Sequence, residues 1–302
     1  MSTLMTSKGA ITHSDLSSPE FWKEVAASGK GEKVNRKCMT AQCWDRAAED
    51  YDDLESCRDY LSQVESVVTI LGEYGAVRPG SSVIDIACGT GTYAVRFAPN
   101  AGEILCVDIS SRMLQRLEAK KEEMGLGNIK CIQADWHSFS TDRKFDLVFC
   151  SMSPLLRSMD NVDRFLELSD RFAAFVTWAG VRENSALNEL GTKILGRKPG
   201  RHTSDMNIIF NYLYAKGLAP DLHFFRGCWE KRRSVEKQIK NLVWRLEMYR
   251  PLDESEKELV ADYVRQRSED GMMSVVSRVR TVLMVVDKEA EEFRCQATGP
   301  LG

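Results

Sequence analysis

The chain predicts an α/β fold built on a doubly wound, mostly parallel sheet. Five short apolar runs, at 83–86, 103–108, 129–134, 145–150 and 173–178, alternate with stretches of helical period. Each run is continuously apolar, as expected of a strand covered on both faces. A glycine turn, Gly89-Thr90-Gly91, stands directly after the first run and before a helical pattern beginning at Tyr93. In such sheets, ligands gather at the carboxyl ends of the strands, where this turn falls.

Taken in order, residues 1–17 are polar and aperiodic, and a disordered arm is expected there. Ser18-Pro19 reads as an N-cap with proline at the first helical position, opening a helix through Phe21, Trp22 and Val25. A helical pattern covers Trp44 to Tyr51, and a longer one carries Tyr60, Leu61, Val64, Val67, Val68 and Leu71. Trp44 and Tyr51, seven residues apart, would share a helix face. They either anchor the helix or close over the cofactor and substrate. Pro79 and Gly80 form a turn that divides an N-terminal helical cap, 18–77, from a catalytic domain, 78–288.

The turn needs backbone angles that other residues resist, and a ligand approaching the main chain there meets no Cβ. Read as Gly89-x-Gly91-x-x-Ala94, it satisfies the relaxed dinucleotide fingerprint. Asp85 opposes that reading. A carboxylate four residues before the first glycine faces a pyrophosphate unfavourably but suits an ammonium group. S-adenosylmethionine carries such a group, together with a sulfonium and no phosphate.

The second strand ends at Asp108, 17 residues beyond Gly91, where a carboxylate can take both ribose hydroxyls. Ser110 and Ser111 can cap the next helix, with Met113, Leu114 and Leu117 on its inner face. The third strand ends at Asp135-Trp136, an acceptor for an adenine amino group beside an indole that either lies along the base or packs on the sheet. The fourth runs into Ser151-Met152-Ser153-Pro154, the loop expected to line the methyl-transfer site.

Beyond 180, residues 182–217 are expected to be helical, broken near 195–201, with 182–220 forming an insertion over the substrate pocket. Asn211 and Tyr214 are polar groups in an otherwise apolar stretch and are read as substrate contacts. A strand begins at 220–225, helices are expected at 235–249 and 254–266, and a last strand at 278–286 is expected to be antiparallel. The tail from 289 is read as mobile.

With 43% apolar residues in 302, the chain can bury one large core, and it contains no 18-residue apolar run. A net charge of −3 gives no general attraction to nucleic acid. The cluster Lys231-Arg232-Arg233 is read as a solvated element end. Nine cysteines without a C-x-x-C pair indicate neither a disulfide framework nor a metal site, and a cytoplasmic location is expected. No role is assigned to Cys38, Cys43 or Cys57.

The order Asp85-x-Ala87-x-Gly89-x-Gly91, Asp108, Asp135-Trp136 and Phe145-Asp146-Leu147-Val148 resembles the class I S-adenosylmethionine-dependent methyltransferases over about 78–180. The resemblance implies a Rossmann-like, seven-stranded sheet of order 3-2-1-4-5-7-6, its last strand antiparallel. It also implies that Asp85 and the Gly89–Gly91 backbone hold the methionine part, Asp108 the ribose and Asp135 with Trp136 the adenine. Ala87, Thr92, Ile109, Met113, Cys150 and Ser151 complete the expected cofactor set; Trp44, Tyr51, Met152, Ser153, Asn211 and Tyr214 are the expected substrate residues.

An Asn/Asp-Pro-Pro-Tyr loop is absent after the fourth strand, which argues against methylation of adenine N6 or glutamine. Weaker likeness from Trp44 to Tyr51, in the 151–154 loop and at 210–217 points to a subgroup whose substrates are mostly unassigned. The expected activity is methyl transfer to a small-molecule acceptor, without nucleic acid or membrane. RNA or protein methylation, a non-catalytic S-adenosylmethionine sensor and an NAD-dependent oxidoreductase are the alternatives. No catalytic residue is assigned; His223 and Tyr214, with His137 and Asp45, are candidate bases.

Overall fold

The computed structural model describes residues 12–28, 40–199 and 205–290, together with an antiparallel pair of two-residue strands, Met5–Thr6 and Gly9–Ala10. The expectations for Cys38 and for the tail beyond Ala290 lie outside the described residues. The arm expected before Ser18 contains a helical turn, His13–Leu16, closed by a capping box between Thr12 and Asp15. Two orphan amides are satisfied reciprocally there, so four residues hold a turn that their polarity did not suggest.

Helix α1 (Pro19–Ala27) starts as its cap predicts, the Ser18 hydroxyl accepting from the Phe21 amide at 3.3 Å. Helix α2 (Ala41–Ala47) tightens into a 3-10 segment, Ala48–Ser56, before α3 (Arg58–Glu73). That change of pitch overturns the expectation of one helix face shared by Trp44 and Tyr51, because the two residues lie on different kinds of turn.

The sheet contains β1 (Ser82–Ile86), β2 (Glu103–Asp108), β3 (Ile129–Gln133), β4 (Phe145–Ser151), β5 (Ser169–Asn184), β6 (Asp221–Ser234) and β7 (Met272–Asp287). Its order is 3-2-1-4-5-7-6, with β7 antiparallel to both neighbours. Short helix α4 (Ala94–Phe97) follows the glycine turn, α5 (Ser111–Glu123) links β2 to β3, and α6 (Met159–Leu168) links β4 to β5. Successive residues of β4 bury on opposite faces: Leu147 and Phe149 pack with Val64, Val67 and Leu71 of α3, whereas Val148 and Cys150 pack with Val162 and Phe165 of α6. Burying each large apolar side chain contributes about 1.5–3 kcal/mol, so both helical layers are held to the sheet.

The C-terminal half departs from the sequence reading. Residues 182–184 belong to β5, and the expected helical stretch resolves into α7 (Ser185–Leu195) and α8 (Asp205–Ala215). Beyond Val176, its last pairing with β4, β5 continues beside β7 to Asn184, through a register shift between Trp178 and Arg182. Strands β5, β6 and β7 therefore overhang the carboxyl edge of the central sheet. Helices α7, α9 (Val235–Glu247) and α10 (Glu254–Gln266) cover the overhang, with a core of its own around Leu190, Leu242, Val260 and Val264. The predicted insertion is thus divided: α7 joins this second core, while α8 places Ile209, Tyr212 and Leu213 in the core against α6.

Candidate active site

Past β1 the backbone enters the left-handed region at Ala87 (φ 57°), Gly89 (φ 57°) and Gly91 (φ 76°). The two glycines do different work. A Cβ on Gly89 would lie 3.4 Å from the Tyr51 ring, at the mouth of a cavity, whereas one on Gly91 would meet Leu117 Cδ1 at 2.2 Å. Gly91 therefore lets α5 pack against the turn, which corrects its assignment as a cofactor-facing residue; it lines neither cavity. Ala87 holds a conformation that costs an L side chain about 1–2 kcal/mol.

Asp108 ties the loop to β2. Its Oδ2 accepts from the Gly89 amide at 2.9 Å and its Oδ1 from the Ser110 amide at 2.8 Å. Burial raises its carboxyl, although those amides work against the shift. Asp85 is only 2% exposed, and no group among the described residues hydrogen-bonds its carboxylate. Burial, and next the charge of Asp108, push it well above the usual carboxylate range.

The 3-10 segment is fastened over this loop. Asp52 accepts from the Thr90 hydroxyl, and Glu55 accepts from the Thr92 hydroxyl at 2.7 Å. Lys120 of α5 bridges both carboxylates, at 2.9 and 2.8 Å, and Arg116 reaches Asp52 at 2.8 Å. Burial acts to raise Asp52, but Thr90, Lys120 and Arg116 outweigh it, leaving its carboxyl below the ordinary value. Asp45, a candidate base by sequence, instead accepts from Ser110 Oγ at 2.6 Å and from the Arg112 amide at 3.1 Å, securing the start of α5.

Two cavities meet here. One, of about 970 Å³, is lined by Ala87, Gly89, Asp108, Ile109, Met113, Asp135, Trp136, His137 and Ser151. The other, of about 750 Å³, is lined by Asp85, Ala87, Thr92 and Ser151 and by the overhang with α9. Trp44, Tyr51, Met152, Ser153 and Pro154 border both. Met152 is itself left-handed (φ 53°), pinned by a 2.8 Å bond from its amide to the Val176 carbonyl.

Several expected contacts fall elsewhere. Cys150 is fully buried in β4 and lines neither cavity, because its position in the pleat points it into the α6 layer. The Trp136 ring stacks at 5.7 Å from Phe139, beneath the Arg164 guanidinium at 4.3 Å, and is 4% exposed, so it packs on the sheet. Asn211 donates to the Asn207 carbonyl, and Tyr214 is 66% exposed beside Phe210. Neither lines a cavity, since Ile209, Tyr212 and Leu213 take the inner face of α8. His223 lies on β6 with its Nε2 3.2 Å from the Tyr74 hydroxyl, away from both cavities.

The second cavity also holds residues that sequence reasoning passed over. Trp178, Trp229 and Trp244 form an aromatic wall, and Arg182, Lys231, Arg233 and Arg245 supply charge. The cluster read as solvated is in fact a strand in which Lys231 and Arg233 line the cavity while Arg232 faces outward. Arg233 is 5% exposed and pairs with Asp53 at 2.7 Å. Strand alternation was the signal that could have found it.

Residues 83–172 match the family model described as a methyltransferase domain. Over that stretch the chain carries a methyltransferase domain. The chain is 28% identical over 203 residues to an uncharacterized protein of Haemophilus influenzae, a match spanning 66% of this chain and 73% of that one. It is 30% identical over 151 residues to a ubiquinone/menaquinone biosynthesis C-methyltransferase of Edwardsiella ictaluri, spanning 48% of this chain and 56% of the relative. Magnesium protoporphyrin IX methyltransferase from Synechocystis PCC 6803, solved with bound SAH, superposes with a TM-score of 0.46 at 17% identity, over 89% of this chain and 96% of that one. Among the described residues no helix is long and apolar enough to cross a membrane.

Proposed function

We propose that the methyl group passes to a small molecule held in the cavity beneath the overhang. The observation that supports this reading is the meeting of two cavities at Tyr51 and Ser151-Met152-Ser153-Pro154. One is walled by the glycine loop and the acidic strand ends, and the other by aromatic residues.

The residues present fit the cofactor. A buried carboxylate without a hydrogen bond, Asp85, stands ready for the α-ammonium, and Gly89 leaves its side of the loop open. Asp108 would take the ribose hydroxyls with its remaining lone pairs, and Asp135 the adenine amino group. When bound, S-adenosylmethionine supplies a methyl on a sulfonium, whose C–S bond breaks as the bond to the acceptor forms.

The protein's task is to align the acceptor and exclude water. Such positioning is worth roughly 7–11 kcal/mol. Tyr60, which lines the acceptor cavity, is pushed up to about 12 chiefly by burial, so it donates a hydrogen bond and does not abstract a proton. Arg233 turns inward, where an RNA backbone cannot reach it, which favours a small acceptor.

The relatives named for ubiquinone/menaquinone biosynthesis make hydroquinone rings the first acceptors to assay. The free cysteines among the described residues fit a reducing compartment, and we place the enzyme in the cytoplasm. The test is transfer from methyl-labelled cofactor to small-molecule pools, bulk RNA and protein in parallel. Label reaching only RNA or protein would reject the reading.

A further inference from the structure

Among the described residues, eight arginines and lysines but only three carboxylates line the acceptor cavity, and one of the three, Asp85, faces the cofactor end. The cations come from separate elements: Arg182 at the end of β5, Arg233 on β6 and Arg245 on α9. Arg182 lies 4.4 Å over the Trp178 ring, and Trp178 packs 5.5 Å from Trp229. Arg245 has neither an ion pair nor a hydrogen bond among the described residues.

A second observation concerns donors. The indole nitrogens of Trp229 and Trp244, both in the cavity wall, are buried without a hydrogen-bond partner. Both nitrogens are sealed from the cavity, so the wall presents the faces of the indole rings to an acceptor. The wall thus brings the Arg245 guanidinium and aromatic faces together.

Resting on the small-molecule reading, we propose that the acceptor is a planar aromatic compound bearing an oxyanion, carboxylate or phosphate, drawn to the Arg182, Arg233 and Arg245 side of the cavity. The ring system stacks along the tryptophan wall, and anionic oxygens accept from the guanidinium N–H groups on that side. Burial, followed by the repulsion of Arg182 and Arg233, brings the Arg245 guanidinium down to about 9, with Tyr249 opposing. It remains charged at neutral pH, and an anion relieves that repulsion.

The test is calorimetric titration of the full chain, saturated with S-adenosylhomocysteine, with 2-naphthoate, 2-naphthyl phosphate and neutral 2-naphthalenemethanol. At least one anion should bind tenfold or more tightly than the alcohol, and the stronger of the two tells carboxylate from phosphate. Arg245→Gln and Arg182→Gln should each shrink that preference to threefold or less, with S-adenosylhomocysteine affinity and melting temperature held near those of the parent chain. Equal binding of the alcohol, no binding of either anion, or a preference indifferent to both substitutions overturns the proposal. Those outcomes leave the small-molecule reading intact, whereas label reaching only RNA or protein removes both.

Discussion

Asp52 accepts a hydrogen bond from the Thr90 hydroxyl, joining the 3-10 segment that carries Tyr51 to the glycine loop. Lys120 and Arg116 also converge on Asp52 and keep its carboxylate ionised, so the bond from the neutral hydroxyl is charge-assisted on the acceptor side. Electrostatics thereby adds to the packing of Leu54 against the Cys57, Trp229 and Val279 cluster in holding the segment over the loop.

Asp52→Asn should weaken this clamp by about 1.5–3 kcal/mol, the scale of hydrogen bonds to charged groups. The Asp52 carboxyl is lowered in the folded chain, so its contribution is present above the unfolded value and is lost as pH falls through the folded one. Denaturant titrations of parent and variant should therefore differ at pH 7 and converge in strong acid. Curves that stay parallel at every pH would show that the bond carries no weight.

Asp85 carries the opposite sign. Its carboxyl is raised in the folded chain, so Asp85 costs stability above the unfolded value, and Asp85→Asn should make the cofactor-free protein more stable at pH 7. The same change should weaken S-adenosylhomocysteine by tenfold or more. For the parent chain, affinity should rise with pH until the free carboxylate is fully ionised, with proton release measured by calorimetry in buffers of different ionisation enthalpy. Affinity independent of both pH and the substitution would remove Asp85 from the site.

Gly91→Ala places a methyl 2.2 Å from Leu117 Cδ1 at a φ of 76°. Overpacking of about 1–3 kcal/mol adds to a backbone cost of roughly 1–2 kcal/mol. In a double-mutant cycle with Leu117→Ala the clash should vanish, giving a favourable coupling energy in urea melts. Strict additivity would mean that the loop moves and α5 does not press on it.

Ala87→Gly should stabilise the chain by about 1 kcal/mol, since glycine adopts φ 57° without the steric cost borne by alanine. Differential scanning calorimetry should show a melting temperature raised by a few degrees. A fall would show that Ala87 gains more from packing than it loses in conformation.

Periodicity along the chain made the central sheet, the Ser18 cap and the cofactor loop readable. Continuous apolar runs require two covering layers, and an acid at a strand end is conspicuous wherever it falls. Asp85, Asp108 and Asp135 were found that way, and all three line the cavities. Asn211, Tyr214 and His223 stand out by residue type alone. Their direction depends on which neighbour fills the space, as Ile209 and Tyr212 do on α8.

Residue order alone therefore marked the five alternating strands, the glycine turn and the acids at the strand ends, because each rests on local backbone geometry and on spacing of a few residues. The acceptor cavity was decided by tertiary structure. Strands β5, β6 and β7 run past the sheet edge only because each pairs with another strand distant in sequence. That pairing turns Lys231, Arg233, Trp178 and Trp229 toward Arg245 and Trp244 on a helix with a separate core. No short window of sequence contains that convergence, since it exists only once long-range hydrogen bonds have set the register.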